Sequence, residues 1–163
     1  MERKNKRQPP LSIRILTIAL VLLTGLPFET PLNPAHAADD FSLEAYRGQV
    51  VWLDFWASWC TPCRRSFPWM NEIVERYADQ GLVIVGVNVD RERELADEFL
   101  RETPANFSIV YDPEGELAKQ FEVLGMPSSY LIDQDGNVIS SHIGFRRNER
   151  ENYEAAIREA LEN

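Results

Sequence analysis

Cysteine, histidine and cationic residues are scarce in this 163-residue chain. It has two cysteines, two histidines and 17 Lys and Arg against 26 Asp and Glu, for a formal net charge of −9. Two cysteines exclude a disulfide-stapled miniprotein and a four-cysteine zinc site. So few cations cannot be gathered into a basic face, which excludes nucleic acid as a partner class. No internal repeat or low-complexity tract is present. No apolar run reaches the roughly 20 residues that a spanning helix needs. What is present is a 44% hydrophobic content. That is enough for a packed core at a length that suits one domain.

The longest apolar run, Ile15 to Leu26, has twelve residues and follows five Lys/Arg within residues 1–14. It is followed by Ala35-His36-Ala37. A basic start, a run of this length and an A-x-A end predict a secretory signal peptide over residues 1–37. An uncleaved membrane anchor is the alternative. Either way the domain, residues 38–163, is expected to be exported, to the periplasm or the outer face of the membrane. Setting aside the five basic and two acidic residues of 1–37 leaves 12 basic and 24 acidic, a net charge of −12 with Lys119 as the one lysine. Such a domain repels anionic surfaces.

Val50–Trp56, VVWLDFW, is almost continuously apolar and predicts a central strand buried on both faces. From Thr61 to about Asp79 the period becomes helical, with Phe67, Met70, Val74 and Tyr77 on one stripe. Gly81 ends that helix. Leu82–Val89 predicts a second buried strand. Arg91–Arg101 predicts an amphipathic helix with Leu95 and Phe99 inward and its acidic face, Asp90–Glu102, solvated. Phe107–Tyr111 predicts a strand and Glu116–Phe121 a short helix. Ser129–Asp133 and Val138–Ser141 flank Gln134-Asp135-Gly136-Asn137, a hairpin signal. A last helix carries Tyr153, Ala156, Ile157, Ala160 and Leu161 on one face. The order predicts an α/β fold. Its early strands are parallel through helical crossovers, its late hairpin is antiparallel, and helices cover both faces of a mixed sheet.

The chemistry lies where the first strand gives way to the first helix, at Cys60-Thr61-Pro62-Cys63. Two cysteines on a first helical turn can close or open a disulfide with little backbone movement. The helix N-terminus supplies unpaired N–H groups and partial positive charge, which favour a Cys60 thiolate. Cys60 is therefore the expected nucleophile on a substrate disulfide. Cys63, one turn in and more buried, is expected to resolve the mixed disulfide. Pro62 stiffens the turn where its missing N–H costs nothing. Asp54 interrupts an apolar strand; burial would raise its pKa and suit it to act as the base for Cys63. Solvated placement at an edge is the alternative. A structural disulfide or half a metal site are the other readings of the cysteine pair. Beyond that pair the domain offers only His142 as a soft ligand, so no metal and no cofactor is expected.

Leu53-Asp54-Phe55-Trp56-Ala57-Ser58-Trp59-Cys60-Thr61-Pro62-Cys63 resembles the active-site segment of the thioredoxin superfamily. Pro68 matches its helix-kinking proline. Gly125-Met126-Pro127-Ser128-Ser129 resembles its cis-proline loop, and Gly136 and Gly144 match glycines of the following hairpin. The resemblance covers Phe41 to Leu161. It is closest to exported TlpA/ResA-like thiol-disulfide oxidoreductases, whose extra helix and strand the stretch Asp90–Val123 matches. Tyr111-Asp112-Pro113-Glu114-Gly115 and Tyr130-Leu131-Ile132-Asp133 also resemble that group. The resemblance implies a thioredoxin-like fold with that insertion and a cis bond before Pro127. It also implies a Met126 backbone that pairs with an extended substrate segment. Trp59 is expected beside the disulfide as an apolar docking surface, and Trp56 in packing. Two positions depart from the pattern. Ser66 stands where ResA-like members carry an active-site glutamate, and Gly86 stands where thioredoxin has the lysine beside its buried acid.

Arg64 and Arg65 oppose the helix dipole and are expected to be solvated, or to steer acidic partners. His142 is expected to be structural. The expected function is reduction of partner-protein disulfides, because the Thr-Pro dipeptide lacks the histidine of the strongly oxidising DsbA type. The resemblance implies a membrane thiol-electron donor of the DsbD or CcdA type. A disulfide oxidase or isomerase, and less so a copper-handling metallochaperone, are the alternatives. A peroxidase would need a lone peroxide-reactive cysteine in a Thr-x-x-Cys context, which is missing. With no dimerisation segment, a monomer is expected.

Overall fold

The computed structural model describes residues 36–37 and 41–163. The reading of residues 1–37 as a signal peptide or anchor lies outside these, apart from β1 (His36–Ala37). The strands and α-helices that follow are β2 (Val50–Trp56), α1 (Thr61–Tyr77), β3 (Leu82–Asn88), α2 (Arg93–Glu102), β4 (Ser108–Tyr111), α3 (Glu116–Gln120), β5 (Ser128–Ile132), β6 (Val138–Ile143) and α4 (Arg150–Glu162). They form one six-stranded sheet in the order β1-β4-β3-β2-β5-β6. β2, β3 and β4 are mutually parallel, and β5 and β6 are antiparallel to their neighbours. β1 was not expected; it pairs in parallel with β4 through His36 opposite Val110. Among the described residues no helix is long and apolar enough to cross a membrane.

β2 sits at the centre because it can be buried on both sides. Val50, Trp52 and Trp56 point toward α1 and α4, where they meet Phe67, Trp69, Met70 and Ile73. Val51, Leu53 and Phe55 point the other way, into a second core with Val85, Val87, Val110, Leu117 and Ile132. The alternation is the period-2 pleat of a strand. Asp54 falls on the Trp52 and Trp56 side, under α1.

α2 closes the first core over the active-site helix. Its inward residues are Ala96 and Phe99, both fully buried, whereas Leu95 is 43% exposed, contrary to the expected pair. Phe99 meets Trp56 at 4.7 Å and Phe67 at 4.9 Å between ring centroids, and Phe107 adds a fourth ring at 5.2 Å from Phe67. Such aromatic packing favours one geometry and holds α1 firmly on the sheet. α1 ends in a 3-10 turn (Ala78–Gln80) closed by Gly81 at φ 98°, a left-handed conformation that glycine adopts without strain.

Candidate active site

The N-terminal turn of α1 begins at the end of β2. Cys60 is the N-cap, and its Sγ accepts the Cys63 N–H at 3.1 Å. Cys60 and Cys63 form a disulfide with their Cα atoms 5.3 Å apart. Thr61 and Pro62 occupy the first helical positions, where unpaired N–H groups are expected and a proline costs least. Both sulfur-bearing residues are nearly closed off, Cys60 at 3% exposure and Cys63 at 0%. The small difference favours Cys60 as the sulfur that an outside thiol reaches. No acidic residue lies in the first turn. Arg64 pairs with Glu102 at 2.8 Å and lies over the Phe99 ring, so its charge is spent on α2. Arg65 is exposed.

The approach to Cys60 is pinned by a network the sequence reading missed. Asp90 accepts from the Ser58 N–H at 2.8 Å and from the Ser58 hydroxyl at 2.9 Å. The Asn88 side-chain amide donates to the same carboxylate at 2.8 Å. Asp90 was expected on a solvated acidic face. Instead it is buried and lies before α2, tying the loop of Ser58 to the end of β3. Asp90→Ala would leave Ser58 and Asn88 groups without their acceptor. It is expected to cost about 2–3 kcal/mol in a urea titration, with part recovered by Asp90→Asn. A change below about 0.5 kcal/mol, the range of an ordinary surface substitution, would mean the network does not hold the loop.

Asp54 is buried, not solvated at an edge. Burial pushes its carboxyl up to about 7, partly offset by the Ser129 hydroxyl that donates to Oδ1. Its other oxygen, Oδ2, has no hydrogen-bond partner among the described residues. Across β3 its neighbour is Gly86. A Cβ there would lie 3.1 Å from Phe107, Ile109 and the Trp56 indole nitrogen, so any side chain would have to push these buried groups aside. Ser66, at the position of the ResA-type glutamate, is buried and donates its hydroxyl back to the Cys63 carbonyl at 3.0 Å. Asp54 is thus the buried acid on this face of β2.

The Met126–Pro127 bond is cis. β5 starts opposite the end of β2, with Ser128 across from Phe55, so the Gly125–Pro127 loop and Cys60 share one end of the sheet. Pro127 is buried and Met126 and Pro62 are half-buried. Trp59 is 70% exposed, and at the same end Leu124 and Ile143 are also exposed, two residues the sequence did not single out. Trp56 is buried against Phe67 at 5.0 Å. His142 stacks on Tyr153 at 4.3 Å and lies 5.1 Å from Trp52; burial lowers its pKa to about 4, so it is neutral.

The chain is similar to known proteins. The model of the AhpC/TSA family matches residues 26–141. The thiol-disulfide oxidoreductase ResA of Geobacillus kaustophilus is 38% identical over 152 residues, covering 82% of this chain and 87% of that protein. The ResA of Bacillus thuringiensis is 33% identical over 108 residues, or 66% of this chain; the chain spans 62% of that relative's length. Among solved structures, a candidate thiol:disulfide interchange protein DsbE from Chlorobium tepidum superimposes with a TM-score of 0.72 at 46% identity, covering 73% of this chain and 84% of its own. StoA from Bacillus subtilis gives 0.59 at 27% identity, covering 67% and 82%. With a six-stranded mixed sheet, a cysteine pair capping α1 and a cis-proline loop at the same end, the chain belongs to the AhpC/TSA family, as a ResA/TlpA-like member of the thioredoxin superfamily.

Proposed function

We propose that this protein is an exported thiol-disulfide oxidoreductase that reduces disulfides in partner proteins. The observation that carries the activity is the Cys60–Cys63 disulfide at the N-terminal cap of α1, with Cys60 the less buried residue of the pair. The names borne by its ResA and DsbE relatives support the same chemistry.

In the reduced protein the Cys60 thiolate, favoured by the N–H groups of the first turn, attacks one sulfur of a substrate disulfide. A Cys60–substrate disulfide forms and the other substrate sulfur leaves as a thiolate. Cys63 then gives its proton to Asp54 and attacks the Cys60 sulfur. The Cys60–Cys63 bond forms, the Cys60–substrate bond breaks, and the second substrate thiol is released. The cysteine pair has lost two electrons and the substrate has gained them. Trp59, Pro62 and the Met126 backbone are the surfaces on which an extended substrate segment docks. Returning the pair to dithiols outside the cytoplasm needs a membrane thiol donor, of the DsbD or CcdA type by the family resemblance. The exported location rests on the leader-like residues 1–37.

The reducing direction rests on the Thr-Pro dipeptide and is tested by the equilibrium potential of the Cys60–Cys63 couple in glutathione buffers. A value near that of thioredoxin, about −270 mV, is expected. A value near that of DsbA, about −120 mV, would make the protein a disulfide donor.

A further inference from the structure

A base that is sealed under a helix must present the correct oxygen. Asp54 meets Gly86 from β3, a residue with no side chain, and Ser129 from β5, directly opposite it in the antiparallel register. Along its own strand the same face holds Trp52 and Trp56, whose indole nitrogens are buried and have no partner among the described residues. The Ser129 hydroxyl is therefore the group that holds the carboxyl by a hydrogen bond. Ser129 is itself 3% exposed, so water does not substitute for it readily.

We propose that Ser129 is a positioning residue for Asp54: by anchoring Oδ1 it leaves Oδ2 as the oxygen that exchanges a proton with Cys63. The inference rests on the reading of Asp54 as the base for resolution. It assigns to β5 the task that β3 does not perform here, because the residue that β3 sets opposite Asp54 is a glycine. The hydroxyl also stabilises the ionised carboxylate, against the burial that raises it. The titratable groups on this face are few. α1 supplies Cys63. One strand beyond Ser129, β6 supplies His142, which is neutral and covered by Tyr153 of α4. α2 and β4 supply rings, Phe99 and Tyr111, to the same core.

The test is a rapid-mixing measurement with reduced protein and an excess of an aromatic disulfide that releases a coloured thiolate. The first release reports attack by Cys60 and the second reports resolution by Cys63. Once the mixed disulfide has formed, Cys60 no longer titrates, so the pH profile of the second release belongs to Cys63 and its base. In Ser129→Ala the midpoint of that profile is expected to rise by about one pH unit, the effect of one lost hydrogen bond to an ion. Resolution then slows about fivefold at pH 7 and is nearly unchanged at pH 9. Ser129→Thr, which keeps the hydroxyl, restores the midpoint. A packing defect would slow both pH values alike and would not move the midpoint. Asp54→Asn, run in parallel, removes the wild-type midpoint and leaves resolution to rise only with ionisation of the Cys63 thiol itself. If it does not, Asp54 is not the base, and that reading fails with the inference that rests on it. If it does, but Ser129→Ala keeps the wild-type midpoint, Asp54 stands and the role of Ser129 is overturned.

Discussion

Cys63→Ser is expected to stop turnover with the protein covalently joined to its partner. Cys60 keeps its place at the helix cap and still attacks a disulfide, but a serine hydroxyl at position 63 cannot displace the bound substrate sulfur. Turnover of a disulfide peptide should fall by at least about a thousandfold, since nucleophile and resolving group act as one unit. The intact mass should increase by one peptide thiol per chain and return to the original value on adding a reductant. Cys60→Ser should lose turnover to the same extent and form no adduct, because Cys63 is fully buried and Cys60 is the less buried of the two cysteines. An adduct on Cys60→Ser would reverse the two roles. Wild-type turnover by Cys63→Ser would mean that no resolving cysteine is needed, and the isomerase alternative would replace the reductase.

The second large effect is on stability. Asp54→Asn should stabilise the oxidised protein by up to roughly 4 kcal/mol above pH 8 and change it little at pH 4. The folded carboxyl keeps its proton up to about 7, whereas the unfolded one loses it near 3.8. Between these values the folded state binds the extra proton, so stability falls as pH rises, and the cost is complete above the folded pKa. Asparagine resembles the protonated acid and escapes that cost. His142 works in the opposite sense. Unfolded it takes a proton near 6.5, and folded only near 4, so its contribution is present above 6.5 and is lost as pH falls through 4. The two windows overlap, and in the wild type their slopes oppose each other. Urea midpoints from pH 4 to 8.5 should therefore rise with pH in Asp54→Asn. They should fall with pH in His142→Phe, which keeps a ring on Tyr153. Parallel profiles for wild type and Asp54→Asn would show that the Asp54 carboxyl does not carry its burial into stability.

Much of the architecture was readable because it depends on local periodicity. VVWLDFW was legible as a doubly buried strand, and the change to a helical period at Thr61 placed α1 within two residues of its observed end. The parallel strands and the antiparallel hairpin followed from the lengths of their connections. Finer assignments failed where the partner decides the burial. Leu95 and Ala96 both fit an inward helix face, and the aromatic cluster around Phe67 selects the small residue beside Phe99. Asp90 looked like part of a charged surface, and only the fold brings Ser58 to it across 32 residues of chain. Ser129 has the same character. Its polarity in a strand was visible, but its meaning required the register that sets it opposite Asp54.

By itself the sequence determined the chemistry: two cysteines at helix-turn spacing behind a buried strand, and one acid in that strand. These depend on residue type and near neighbours, which a linear chain states directly. The tertiary structure alone decided which oxygen of Asp54 lacks a hydrogen-bond partner, which hydroxyl holds the other, and how tightly Gly86 is enclosed. Those facts come from contacts between strands and rings distant in sequence. Strand register and close packing set such contacts, and neither is written in the order of the residues.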